Sequence, residues 1–165
     1  METDTSITRL LEQYRFHDTL YKNVLESIKP KHTHIRLNGL TNHVSWIAGN
    51  LAATRFNLGN NIGIELKQGF PEFFKDHKSI IPNVQYPSLE AIIKDWDRIT
   101  PVLEKRLEEM TPEQLSAPSP LFIPKSIKQN NILGTLIFLI DRESYAIGQI
   151  ALIRKAFGYE AMKYE

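Results

Sequence analysis

Apolar residues recur at intervals of three and four through four long segments of this chain, and no other feature constrains its fold as strongly. That period gathers side chains on one face of a helix and is incompatible with the alternation of a strand. In the first segment the stripe is Ile7, Leu10, Leu11, Tyr14, Tyr21, Val24, Leu25 and Ile28. Asp4, Thr5 or Ser6 can cap its start, and Pro30 disfavours helical geometry before it, so the spacing predicts a helix over 5–28. A second begins near Thr41 or Asn42, carries Val44, Ile47, Leu51, Arg55 and Leu58, and stops at Gly59. Its small residues Ala48, Gly49, Ala52 and Ala53 suit close approach by another helix or a ligand. Ser88 can cap a third, with Leu89, Ile92, Ile93, Trp96, Ile99, Leu103 and Leu107 as its stripe and Pro101 expected to kink or divide it. Thr111-Pro112-Glu113-Gln114 has the cap, first-turn proline and third-position Gln of a short extra turn. The loop Ser116 to Lys128 follows, and its Leu121-Phe122-Ile123 can fold back onto the core. The fourth long helix runs from Asn130 or Asn131 to Phe157, with Gly158 free to adopt the left-handed terminal conformation. Its first half is apolar around most of its circumference, which suits the centre of a bundle or a subunit interface.

Between the second and third helices, Asn60 to Pro87 shows no sustained period and is longer than bundle connections usually are. Phe70, Phe73 and Phe74 give it apolar anchors, so it reads as a crossover packed along the outside of a bundle. No strand pair joined by a hairpin turn emerges. The expected fold is all-α, a single domain over residues 1–165, long enough to bury one sizeable core without a disulfide or structural metal. Lys and Arg number 20 against 19 Asp and Glu, so no net field points to nucleic acid or an anionic membrane as partner. The absence of cysteine removes thiol nucleophiles and Cys-ligated metals and fits a reducing, cytoplasmic setting. Met1 to Ile7 lacks the basic start and apolar run of a secretory signal, and the apolar stretch Ile132 to Ile140 is well short of the roughly 20 residues that span a bilayer.

Two segments carry a family resemblance. Asn42-His43-Val44-Ser45-Trp46-Ile47-Ala48-Gly49-Asn50-Leu51-Ala52 resembles the second helix of the DinB-like (DinB/YfiT) four-helix bundle superfamily. Arg142-Glu143-Ser144-Tyr145-Ala146-Ile147-Gly148-Gln149-Ile150, continued by Leu152-Ile153-Arg154-Lys155-Ala156-Phe157-Gly158, resembles its fourth. The resemblance implies a four-helix bundle of up-down-down-up course with its crossover between helices two and three, frequently a homodimer, and a link to stress responses. Many members of that family bind a divalent metal through three histidines, one on helix two and a His-x-x-x-His pair on helix four. Those positions fall here on Asn50, Arg142 and Ala146: a weak oxygen donor, a permanent cation and a side chain with no donor atom. The resemblance therefore implies a bundle without the family's metal or cofactor, serving as a structural module or as a binder of a small molecule or anion. The alternative is a diverged metal-dependent hydrolase or thiol transferase with another ligand set.

Arg142 shares a stripe of helix four with Ala146, Gln149 and Ile153. An internal ion pair, for example with Asp18 or Glu12, is the favoured reading, because an unpaired buried charge is costly. The functional reading is an anion pocket in which Arg142 fixes a carboxylate or phosphate and Asn50, Tyr145 and Gln149 supply hydrogen bonds, with Trp46 and Ala146 counted in the same pocket. Other candidates weigh less. No two of His17, His32, His34, His43 and His77 have helical ligand spacing; His32-Thr33-His34 reads as a surface loop and His43 as a cap or packing residue. Ser45 and Ser144 have no Gly-x-Ser-x-Gly setting, Gly59, Gly63 and Gly69 lack the spacing of a phosphate loop, and Glu108 and Glu109 point apart on a helix.

Overall fold

The computed structural model describes residues 5–165, apart from the side chains of residues 5, 6 and 77. Its regular elements are helices: α1 (Thr5–Leu25), α2 (Val44–Asn61), the short α3 (Pro71–Phe74), α4 (Leu89–Glu108), the short α5 (Pro112–Ser116) and α6 (Ile132–Ala156), with three single 3-10 turns. Among the described residues there is no strand, and no helix is long and apolar enough to cross a membrane.

Local chemistry accounts for most of the boundaries. Ser88 accepts the Ala91 N–H at the start of α4, and Asn131 accepts that of Gly134 at the start of α6. Thr111 and Gln114 exchange the two hydrogen bonds of a capping box around α5. Gly158 follows α6 with φ +81°. Of the residues expected to cap α1, Asp4 lies outside the described residues. Four expectations need correction. The second helix does not stop at Gly59 but runs on to Asn61, the Ile62 N–H bonding back to the Leu58 and Gly59 carbonyls. The first helix ends at Leu25, not Ile28: the chain turns at Ser27, with φ +63°, and the Arg154 guanidinium donates to the carbonyls of Val24 and Glu26. The second starts at Val44, because His43 is its cap, Nδ1 accepting the Trp46 N–H at 3.0 Å. Pro101 does not divide α4; it lies on the exposed side of the helix, as does Asp97, whose carbonyl loses its usual donor there.

The four long helices pack side by side, α2 against α4 and α6, and α1 against α4 and α6. Their buried faces form two apolar clusters. One gathers Tyr21 and Val24 of α1, Ile47 and Ala48 of α2, Trp96 of α4 and Ile150 of α6. The other gathers Ile7 and Leu11 of α1, Phe56 of α2, Leu103 of α4 and Leu136 of α6. Chain order through the clusters therefore runs one way in α1 and α6 and the opposite way in α2 and α4. The segment from 62 to 88 lies along α2 and α4. Phe74 is buried on α2, where a Cβ at Gly49 would stand 2.1 Å from its ring, so the space left by the small-residue patch is filled by this aromatic ring. Asp95 of α4 fastens the same segment by accepting the Gly69 N–H and pairing with Arg98, which in turn donates to the Lys67 carbonyl.

Candidate functional site

Every long helix carries a polar residue at the level between the two clusters: His17 on α1, Arg55 on α2, Thr100 on α4 and Glu143 on α6, all buried. Arg55 donates through Nε to Glu143 Oε1 at 2.7 Å and through Nη2 to Oε2 at 2.9 Å, a bidentate pair, while Nη1 donates to Thr100 Oγ1 at 2.8 Å. His17 Nδ1 lies 3.1 Å from Glu143 Oε2. The guanidinium is flanked by the Trp96 ring at 3.7 Å and the Tyr14 ring at 4.9 Å, and Trp96 stacks in turn on Tyr21. Burial alone would push the Glu143 carboxyl upward, but the Arg55 charge and hydrogen bonds, with His17, hold it below the ordinary carboxylate value. Burial likewise opposes the charge on Arg55, and Glu143 more than compensates, so its pKa is raised. Burial and the Glu143 charge push the Tyr14 phenol upward, leaving a neutral hydroxyl with no hydrogen-bond partner among the described residues. Arg55 and Glu143 are each 1% exposed and neutralise one another, so the knot serves as structure.

Sequence reasoning passed over this pair. Arg55 stood in an otherwise apolar stripe and Glu143 inside an apolar helix, and the signal was the presence of one charge of each sign where burial forbids an isolated one.

The open chemistry lies on the other side of α2. A cleft of about 320 Å³ between α2 and α6 is walled by Trp46, Leu121, Phe122 and Phe138, with Asn50 on its floor and Arg142 at its rim. Thr54 and Asn57 continue the α2 wall, one turn and two turns beyond Asn50. Leu121 packs toward the core, whereas Phe122 is 77% exposed and meets Phe138 edge to face. Asn50 is only 7% exposed, yet its amide makes no hydrogen bond within the described residues and keeps access to the cleft. A smaller cavity of about 170 Å³, lined by Gln68, Phe74 and Lys75, adjoins Asn50 on the opposite side.

Arg142 does not pair with helix one. Asp18 is engaged by Lys22 at 2.9 Å and by the Trp96 indole N–H at 2.7 Å, and Arg142 projects outward over the Phe138 ring. It has no carboxylate partner among the described residues. The reason is angular: successive helix residues differ by about 100° in direction, so Glu143 points inward and Arg142 outward to the cleft edge. Of the residues expected to form an anion pocket, the structure brings together Trp46, Asn50 and Arg142. Tyr145 and Gln149 line a shallower depression on the outer side of Arg142, and Ala146 packs against the apolar cluster that contains Trp96. One amide, a guanidinium and a methyl group do not fit a divalent metal at the three positions the resemblance assigns, and no group of three or more acidic or histidine side chains among the described residues could hold one. Of the histidines, only His34 and His43 come together among the described residues. His32 stacks on Phe157, while His34 meets His43 edge to face at 5.2 Å.

No family model matches this chain, and no curated protein matches it either.

Proposed function

We propose that this chain is a metal-free member of the DinB-like family, an up-down-down-up four-helix bundle with its crossover between α2 and α4, and that it binds a small amphipathic anion in the cleft between α2 and α6. The opposed courses of the α1/α6 and α2/α4 pairs and the packed crossover support the first part. The second rests on one observation: a guanidinium without a carboxylate partner among the described residues stands at the rim of an aromatic cleft that the Asn50 side chain also lines. A carboxylate or phosphate can take Arg142, its apolar body can lie against Trp46, Phe122 and Phe138, and the Asn50 amide can meet a polar atom at depth. A cytoplasmic location and the family's link to stress responses belong to the same reading and rest on the sequence.

Trp46 reports on the cleft directly. Octanoate, phenylacetate and inorganic phosphate, titrated against the native chain and an Arg142→Gln variant, separate the outcomes. The organic acids should change Trp46 fluorescence saturably, with Arg142→Gln weakening them about tenfold, the loss of a charge-assisted hydrogen bond. Absence of saturable binding by all three, or binding indifferent to the substitution, refutes the reading. Stoichiometric zinc or nickel in protein purified without a tag would refute the metal-free part separately.

A further inference from the structure

The walls of the cavity of about 170 Å³ on the crossover side of α2 offer hydrogen-bond acceptors in excess of donors. Thr54 spends its hydroxyl proton on the Asn50 carbonyl at 2.8 Å. Asn60 spends its amide N–H groups on the carbonyls of Ile64 and Leu66, each at 2.8 Å. What remains of either side chain is an oxygen that no donor takes among the described residues. Gln68 adds a third, since its Oε1 is shut off from solvent and also lacks a donor among the described residues. A buried acceptor left unpaired is costly, so its presence in a cavity wall points to a donor that enters from outside the chain. Oxygens gathered in this way suit a ligand with several N–H groups.

Charge at the mouth narrows the class. Lys75 and Asp76, consecutive in the crossover, both line the cavity and are exposed, and neither forms an ion pair among the described residues, with each other included. A lone ammonium would meet the charge of Lys75, and a lone carboxylate that of Asp76. A molecule that carries both sets each against its opposite. Ala53 and Phe74 supply an apolar wall, and the volume, below the roughly 300 Å³ of pockets that hold drug-sized ligands, admits only a small side chain. We infer that this cavity binds a small α-amino acid as its zwitterion, the ammonium held by Asp76 and the wall oxygens, Gln68 Oε1 foremost, and the carboxylate by Lys75. The site is separate from the proposed anion cleft and shares with it only Asn50, Thr54 and Asn57 of α2.

Calorimetric titration of the native chain with L-alanine, methylammonium and acetate tests this. Alanine should bind saturably in the millimolar range, and each half-molecule about tenfold more weakly, the loss of one charge-assisted contact. Lys75→Gln and Asp76→Asn should each weaken alanine about tenfold, and Gln68→Met about fivefold. Asn tolerates the left-handed backbone of Asp76, at φ +58°, and Met keeps the bulk of Gln68 without its acceptor. No saturation by about 50 mM alanine would mean that water alone fills the cavity and overturns the inference. Methylammonium or acetate binding as tightly as alanine overturns the zwitterion. Alanine binding that falls in Arg142→Gln but not in the three cavity variants places the ligand in the cleft and overturns this site, while the anion reading stands.

Discussion

Glu143 is 1% exposed, and its charge is tolerable only because Arg55 and His17 meet it. Removing one partner leaves an uncompensated buried charge, so Arg55→Met should cost about 3–5 kcal/mol, whereas Arg55→Met combined with Glu143→Leu should cost much less. Urea denaturation of the two variants checks this, and a single-variant loss below about 1 kcal/mol would show that the pair is dispensable. Because the folded Glu143 pKa is lowered, its contribution is present above the ordinary carboxylate value of 4.5 and is lost as pH falls below it. His43 acts in a higher window. Burial first, then the neighbouring His34, lowers it from 6.5 to about 4, consistent with an Nδ1 that must stay unprotonated to accept the Trp46 N–H. The unfolded chain takes up that proton as pH falls through 6.5 and the folded chain refuses it until about 4, so stability declines across this interval. The loss should total roughly 3 kcal/mol at about 1.4 kcal/mol per unit. His43→Asn keeps a capping acceptor without the titration; urea midpoints measured from pH 7 to 4.5 should flatten in that variant, and an unchanged slope would remove His43 as the cause.

Among the elements, the helices were legible wherever local chemistry writes their ends. Ser88, the Thr111–Gln114 box, Asn131 and Gly158 all act where the sequence placed them. The misreadings came where a distant group intervenes. The α1 terminus is set by Arg154, which lies 130 residues from Val24 along the chain. The crossover shows the same dependence: Phe74 was recognisable as an anchor and Gly49 as a gap, but their meeting was not. Gly49→Ala should drive a methyl into the Phe74 ring and cost about 1–3 kcal/mol, the usual penalty of overpacking. Adding Phe74→Ala should bring less than the sum of the two losses, because the collision has gone. Thermal denaturation of the single and double variants decides it, and strict additivity would mean that the contact carries no strain.

For the molecule as a whole, the decisive feature is the polar layer between two apolar clusters. Slipping α1, α2 or α6 by one turn, about 5.4 Å, would separate Glu143 from His17 or from Arg55, and slipping α4 would take Thr100 from Arg55, so the layer penalises wrong axial registers more sharply than apolar contacts can. With that register fixed, α6 turns Glu143 inward and Arg142 to the cleft, so one helix supplies both the knot and the proposed anion site. The sequence by itself determined the all-helical class, most of the caps and the long connection between α2 and α4, because periodicity and capping act within a few residues. Only the tertiary structure decided that Arg55 rather than Arg142 holds the buried carboxylate, and that Trp46, Asn50 and Arg142 share a cleft while Tyr145 and Gln149 lie outside it. Those outcomes depend on the relative rotation and height of helices far apart in the chain, and a helical period specifies the face of each helix without specifying what stands opposite.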